Sequence, residues 1–390
     1  MTVKMLSKKV NCVGDSATIR LNDVANRLRM DGKDVINLGV GEPDFDTPLF
    51  IREAAKRAID DGDTHYAPSL GKQRLREDIA DKLREDNRID ASPKNIIVSA
   101  GAKHIIFMAI NALLDGGEEA MLFCPAWVSY EACIKLAGGR VNWVKTKEED
   151  AFQPSDLQDK INKKTKLLVV NSPNNPTGSV YKKDTLKMIR DLAIDRDLYV
   201  ISDEIYEKII YEADHISLAS FDGMAERTIT VNGFSKSYAM TGWRLGYACA
   251  PKEIIGGMLK IQQHSVTCAA SFSQEAAIKA MEGPQDNLKR MVEEFKRRRD
   301  ILIEGLNSIG IRCVRPAGAF YTFVDVSKFG GDSNAFCEKM LREGYVVMIP
   351  GYAFGPGWEK YVRISYAAPL EKIEEALLRM EKIFALGKQK

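Results

Sequence analysis

No stretch of this 390-residue sequence is long and apolar enough to cross a bilayer, and the opening MTVKMLSKKVNC has no apolar run of the kind that directs secretion. A cytoplasmic location is the expectation. Neither sign of charge is in excess: 56 basic residues stand against 54 acidic ones and are spread along the chain, so no concentrated basic face for nucleic acid is expected. The seven cysteines (Cys12, Cys124, Cys133, Cys249, Cys268, Cys313 and Cys337) form no CxxC pair and no zinc spacing, and they read as buried, reduced thiols. His65, His104, His215 and His264 are too scattered for a metal site or a histidine relay, so no metal is expected. No GxGxxG follows a first strand, which counts against a dinucleotide-binding oxidoreductase. The sequence also lacks internal repeats and low-complexity linkers, and no appended DNA-binding segment is expected.

What is present is alternation. DSATIRLNDVANRLRMDG reads as an early helix capped at Ser16, with Ile19, Val24 and Leu28 on its apolar side and Gly32 as its stop. VINLGVGEPDFDTP reads as a strand entering a Gly/Pro turn, and PLFIREAAKRAIDDG as the next helix. From about residue 94, short β-rich runs (NIIVSAGA, AMLFCPA, RVNWVKT, KLLVVNSP, LYVISDE, TITVNG) are interleaved with helical segments such as KHIIFMAINALLD and KDTLKMIRDLAIDRD. Apolar strands alternating with helices predict an α/β domain with a mostly parallel sheet covered on both faces. The texture changes near residue 284. DNLKRMVEEFKRRRDILIEGLNSIG is one long amphipathic helix, and beyond it GAFYTFVDV, NAFCEKMLREG, YVVMIPG, YVRISYA and EKIEEALLRMEKIFALG suggest a smaller α+β domain. The expected division is 1–47 joining the small domain, 48–283 as the large domain and 284–390 as the small C-terminal one. Arg297, Arg298 and Arg299 in FKRRRD read as a solvated helix face.

Ligands of parallel sheets bind beyond the carboxyl ends of the strands. The unusual residues cluster there: Gly101, Ala102 and Lys103 after NIIVS, Trp127 after AMLFC, Asn175 within NSPNNPTG, Asp203 and Tyr206 after LYVIS, and Lys236 after TITVNGFS. A lysine amine whose pKa is lowered by burial condenses with an aldehyde to a Schiff base. A carboxylate at a buried strand end holds a pyridinium proton and makes the ring an electron sink. Tyr206 and Asn175 offer hydrogen bonds to a ring oxygen, and Trp127 offers a flat face. The glycine-led helix start at 101–103, a serine and an arginine supply what a phosphate monoester needs. Together these are the requirements of pyridoxal phosphate.

The motifs LGVGEPDFDTP, THYAPSLGKQRLRE, SAGAKH, PAWVSY, NSPNNPTG, SDEIYE, GFSKSYAMTGWRLGY and VRISYA, in this order, resemble those of the class I/II pyridoxal-phosphate aminotransferases of fold type I, nearest to the prokaryotic aspartate/aromatic branch. The resemblance implies a seven-stranded sheet and a homodimer. It implies that Lys236 carries the Schiff base and shuttles the proton, that Asp203 pairs with the pyridine nitrogen, and that Tyr206 and Asn175 bond the ring hydroxyl. Trp127 would stack on the ring, while Gly101, Ala102, Lys103, Ser235 and Arg244 would surround the phosphate, joined by Tyr66 from the partner subunit. Arg363 would clamp the substrate α-carboxylate, helped by the Gly41 backbone and Asn175. The sequence departs from many relatives at Gly233, where they have a serine.

Dicarboxylic substrates need a cation near the distal carboxylate, and Lys103 stands where some relatives place one; its backbone N–H on the phosphate is the alternative role. The expected reaction is ping-pong transfer of an amino group from aspartate or glutamate to a 2-oxo acid such as 2-oxoglutarate. Aromatic or other neutral amino acids, and a carbon–sulfur or other elimination lyase, remain alternatives.

Overall fold

The computed structural model describes residues 6–15, 17–155 and 157–386. The expected cap Ser16 lies outside the described residues, and the helix it was to begin runs Ala17–Met30.

Among the described residues twelve strands form in chain order: β1 (Ile36–Asn37), β2 (Ile96–Ser99), β3 (Glu119–Cys124), β4 (Arg140–Lys145), β5 (Thr165–Asn171), β6 (Tyr199–Asp203), β7 (Thr228–Gly233), β8 (Gly246–Cys249), β9 (Tyr321–Asp325), β10 (Val346–Val347), β11 (Ile349–Pro350) and β12 (Tyr361–Ser365). β2 to β8 make a seven-stranded sheet in the order β2-β8-β7-β6-β5-β3-β4, in which only β8 runs against its neighbours. β8 is the strand that sequence patterning omitted. Its GYAC core is short and begins with glycine, so it carries little of the β-branched signal seen in its neighbours.

Alternation within the strands explains the cover on both faces. In β3, Ala120 and Leu122 meet Ile105 and Ile106 of the helix Ala102–Leu113 in one apolar cluster, while Met121 and Phe123 join Leu186 and Ile189 of the helix Lys183–Asp195 in another. A fully buried strand therefore reads as a continuous apolar run.

β9, β11 and β12 form an antiparallel sheet, and β1 pairs in parallel with β10, so residues near the start of the chain join elements near its end. The run YVVMIPG, expected as one strand, is split between β10 and β11. Behind these strands pack the helices Asp286–Ser308, Ser333–Gly344 and Leu370–Leu386, and Ile205, Tyr206 and Ile209 from the segment after β6 enter the same apolar cluster. That segment ties the large sheet to the smaller one and carries a predicted site residue with it.

Two expectations are corrected. Arg297 is solvated, but Arg298 and Arg299 are buried, Arg299 completely. Consecutive helical residues are about 100° apart, so three arginines in a row cannot share one exposed face. Arg299 forks onto Glu212 at 2.6 and 2.7 Å with its guanidinium 4.5 Å over the Tyr211 ring, and Arg298 reaches Asp44 at 2.7 Å. Of the cysteines, Cys124, Cys133, Cys249 and Cys337 are buried, Cys268 and Cys313 are partly so, and Cys12 is exposed; all are free. Cys12 ends the short helix Lys8–Asn11, which buries none of its residues.

Candidate active site

The carboxyl edge of the large sheet opens into a cavity of about 500 Å³, within the range of small-molecule sites. Parallel pairing places Asn171 of β5 beside Asp203 of β6. Asn171 donates through Nδ2 to the Asp203 carbonyl at 2.9 Å and accepts from the Asn175 N–H at 2.8 Å, so one side chain joins both loops. The Asp203 carboxylate accepts from Tyr130 Oη at 2.6 Å and from the Ile205 N–H at 3.2 Å. Burial still dominates and raises its pKa to about 6.

Lys236 follows β7 and donates through Nζ to the Gly41 carbonyl at 2.6 Å. Burial lowers its pKa to about 8; Glu42 opposes that fall, while Arg244 and Arg363 add to it. A buried amine near neutrality is the nucleophile and proton carrier the chemistry needs.

The anion end is built on glycine. Gly101, at φ 91°, precedes the helix Ala102–Leu113, and a Cβ there would lie 2.6 Å from Arg244 Nη2. The helix start presents N–H groups with no acceptor within the helix, and Arg244 lies over it, bonded to the Thr241 carbonyl at 2.9 Å and the Ala100 carbonyl at 3.3 Å. Gly233 is explained in the same place. It pairs across the sheet with Gly246, whose Cα would lie 2.9 Å from any Cβ on Gly233, so a serine does not fit. Ser235, buried and lining the cavity, is the nearby hydroxyl, and Thr241 is another.

The opposite wall comes from the loop after β1 and from β9 and β12. Arg363 is 2% exposed, donates to Asn175 Oδ1 at 2.9 Å and to the Gly39 carbonyl at 2.6 Å, and lies 4.6 Å over the Tyr321 ring. No carboxylate pairs with it among the described residues, and its buried Nε has no partner. A buried guanidinium in that state calls for an anionic ligand. Tyr206 shares a hydrogen bond with Tyr321 at 2.9 Å. Trp127 stands edge-on to Tyr130, and Lys103 Nζ lies 5.0 Å over the Trp127 ring, where desolvation lowers its pKa.

The cavity thus gathers Gly41, Ala102, Lys103, Trp127, Asn175, Asp203, Tyr206, Ser235, Lys236, Arg244 and Arg363, with Gly101 directly beneath Arg244. Tyr66 is not brought in: it is 88% exposed and lines no part of this cavity. Sequence reasoning missed Tyr130, Tyr321, Asn171, Gly39 and Glu42. Tyr130 and Asn171 lay inside quoted motifs and differ from their neighbours only in what they touch. Gly39 supplies a carbonyl, which no residue type advertises.

His215 is another departure from expectation. It bonds Glu204 at 3.0 Å and lies near Glu207, so each of the three offers a ligand atom within 4.8 Å of the others. The Lys82 ammonium bonds Glu207, and Asn87 donates to Glu207 at 2.6 Å, so cationic and amide donors already occupy these carboxylates.

The aminotransferase class I and II family model matches residues 33–380. The chain belongs to that family. The aminotransferase is 48% identical over 97% of its length to the aspartate aminotransferase of Pyrococcus abyssi, covering 98% of that relative. It is 44% identical to the aromatic-amino-acid aminotransferase 2 of Thermococcus litoralis, again over 97% of its length and 98% of the relative's. Its fold matches the structure of the Thermus thermophilus aspartate aminotransferase with maleate at a TM-score of 0.95 and 41% identity, covering 98% of this chain and 100% of that one. The family's cofactor is pyridoxal 5'-phosphate. The residues of this aminotransferase fit it: a buried lysine at the cavity floor, a buried carboxylate beyond it, and an anion cradle that only glycine permits at 101. No helix among the described residues is long and apolar enough to cross a membrane.

Proposed function

We propose that this aminotransferase moves an amino group between an L-amino acid, aspartate or glutamate by preference, and a 2-oxo acid such as 2-oxoglutarate in a ping-pong reaction. The observation that carries the substrate preference is Lys103, whose ammonium lies in the same cavity as Arg363 and 5.0 Å over Trp127. With Arg244 given to the phosphate and Lys236 to the cofactor, Lys103 and Arg363 are the two cations left in the cavity for a dicarboxylate, and maleate, with which the Thermus relative was solved, is one. The name of the Thermococcus relative supports aromatic amino acids as the second reading.

When bound, the cofactor would supply an electron-withdrawing ring that stabilises negative charge at the substrate α-carbon. Asp203 holds the proton on the ring nitrogen, and Tyr130 fixes the orientation of that carboxylate. Tyr206 and Asn175 serve the ring hydroxyl, and Trp127 covers a ring face and excludes water. The backbone of Gly101, Ala102 and Lys103 binds the phosphate with Ser235 and Arg244. Lys236 would hold the cofactor and would carry the proton at the substrate α-carbon. Arg363 takes the α-carboxylate, and Gly41 holds Lys236 through its carbonyl.

The working unit is a homodimer in which Tyr66, exposed on its own chain, reaches the partner's phosphate site. Residues 1–47 belong with 284–390 as the small domain, and 48–283 form the large one. The seven free thiols suit a reducing cytoplasm.

A panel of amino donors tests the proposal. Lys103→Ser is expected to lower kcat/KM for aspartate and glutamate by about tenfold to a hundredfold while sparing alanine and phenylalanine. An equal loss on all donors would assign Lys103 to the phosphate or the fold, and ammonia release in place of oxo-acid exchange would indicate a lyase.

A further inference from the structure

The wall of the cavity that meets the substrate carboxylate is a stretch of loop. Leu38 is still held by β10 and β12, its N–H donating to the Val347 carbonyl at 2.9 Å and its carbonyl accepting from the Ser365 N–H at 2.7 Å. Beyond it the chain leaves the sheet, and within four residues it makes three contacts that matter. The Gly39 carbonyl accepts from Arg363 Nη2, the Gly41 carbonyl accepts from Lys236 Nζ, and Glu42 accepts from Thr241 Oγ1 at 2.7 Å. On the far side of those contacts, the loop is gripped at Asp44 and Phe45 by an element that contributes nothing to the cavity lining, the helix Asp286–Ser308.

The grip is Arg298. Its Nη1 donates to Asp44 at 2.7 Å, its Nε donates to Glu294 one helical turn earlier at 2.9 Å, and its guanidinium lies 5.1 Å over the Phe45 ring. Phe45 in turn meets Phe295 edge-on at 5.4 Å. One planar fork therefore joins a carboxylate on a rigid helix to a carboxylate on the loop while covering the next aromatic ring, a combination that lysine cannot reproduce. The side chain is almost wholly shielded, 8% exposed, so the pair is little screened by solvent.

We propose that Arg298 is a positioning residue for the substrate carboxylate: through Asp44 and Phe45 it sets the Gly39–Glu42 backbone, and through the Gly39 carbonyl it sets the fork of Arg363. The inference rests on Arg363 being the α-carboxylate site of the proposed transamination. Arg363 is buried and gives one of its terminal nitrogens to Gly39, so a shift of that carbonyl turns the guanidinium plane presented to substrate, and bidentate recognition is sensitive to such misplacement. Asp203 and the backbone that leads to Lys236 are fixed by strands of the large sheet and do not depend on the grip. Loss of Arg298 is therefore felt in substrate binding more than in the proton transfer that follows.

The test compares Arg298→Met, Arg298→Lys, Asp44→Asn and Glu294→Gln in the cofactor-loaded enzyme, reading KM, kcat and, by calorimetry, the Kd of maleate as a non-reacting dicarboxylate. Arg298→Met and Asp44→Asn are each expected to raise KM and Kd about tenfold with kcat within about threefold of the parent. Arg298→Lys should recover part of the loss, and Glu294→Gln, which weakens the helix end of the fork but leaves the loop contact in place, should raise KM and Kd by clearly less than Asp44→Asn. Unaltered KM and Kd in folded Arg298→Met and Asp44→Asn would overturn the proposal, as would a fall in kcat at constant KM and Kd, or an equal effect of Glu294→Gln and Asp44→Asn. If Arg298→Met does not fold, Asp44→Asn decides. Maleate binding also separates this inference from the functional reading: a parent protein that does not transaminate refutes the reading, while a Kd that still depends on Asp44 upholds the grip.

Discussion

The two walls of the cavity are built by different means. The wall that carries Asn171, Asp203 and Lys236 is the edge of one sheet, where adjacent strands in register set the spacing and the Asn171 side chain bonds the Asp203 carbonyl beside it. The wall that carries Gly39, Gly41, Tyr321 and Arg363 joins two paired strands, β9 and β12, to a loop more than 250 residues earlier in the chain, and that loop meets Arg363 through the Gly39 carbonyl. Contacts that cross the gap include Lys236 with Gly41, Thr241 with Glu42, Arg363 with Asn175, and Tyr206 with Tyr321. The first wall suits chemistry that demands fixed geometry. The second suits recognition, which has to admit and release substrate.

If that division holds, the largest effect belongs to the sheet wall. On the proposed assignment Lys236→Ala removes the amine that would join the cofactor and carry the proton, so turnover should fall by at least about a thousandfold, while the phosphate-binding groups proposed at Ala102, Ser235 and Arg244 should still retain cofactor. Steady-state rates and bound-cofactor content measure the two separately. Turnover within tenfold of the parent would refute the assignment.

Asp203→Asn comes next, with opposite signs for activity and stability. The amide keeps the acceptor for Tyr130 but cannot keep a ring nitrogen protonated, so activity should fall by about a hundredfold or more. In the cofactor-free protein the Asp203 pKa stands at about 6 against an ordinary 3.8, so its stabilising contribution is full below pH 3.8 and is lost as pH rises through 6. At pH 7.5 the buried, ionised carboxylate is a cost on the order of 3 kcal/mol. Cofactor-free Asp203→Asn should therefore melt higher than the parent at pH 7.5, with the gain shrinking toward pH 5. A lower melting temperature at pH 7.5 would mean that the carboxylate is not penalised by its surroundings.

The same division marks what could be read in the sequence. The sheet wall was legible at Asp203 and Lys236, though not in the role of Asn171, because each follows a β-rich run, and a strand end places the next few residues at one edge whatever the rest of the fold does. Asp203 and Lys236 could be located from local pattern alone. β8 escaped because Gly246 leaves room for the amide of Ala102, and a residue chosen for the absence of a side chain gives no hydrophobic signal. The recognition wall was less legible. Arg363 stood out as a charge in an apolar strand, but nothing in the sequence marked Tyr321, and Arg298 read as surface, because their roles depend on contacts across the chain. The family resemblance, and not periodicity, suggested the roles of Arg363 and Tyr66.

On the recognition wall the effects should be smaller and even across substrates. Arg363→Lys keeps the charge but loses the fork that bonds Asn175, Gly39 and an incoming carboxylate together. Removing such a charge-assisted contact costs about 1.5 to 3 kcal/mol, so kcat/KM should drop by about tenfold to a hundredfold for aspartate, alanine and phenylalanine alike. A loss confined to aspartate and glutamate would move the distal-carboxylate role from Lys103 to Arg363 and reverse the reading of the wall.

The smallest effect lies at the seam, where Lys236 of one wall meets the Gly41–Glu42 turn of the other. Only the neutral amine attacks an aldehyde, and burial places the Lys236 pKa at about 8, so uptake of pyridoxal phosphate by the cofactor-free protein should quicken by about tenfold from pH 7 to pH 9 and then level off. After burial, Glu42 is the strongest influence on that amine, and it favours the charged form. Glu42→Gln keeps an acceptor for Thr241 while removing the negative charge, so the midpoint of the uptake curve should move to lower pH, with faster uptake at pH 7 and the same plateau. Visible absorbance during uptake measures both. If the midpoint stayed in place, the loop would touch Lys236 through the Gly41 carbonyl alone, and the two walls would be electrostatically independent where they meet.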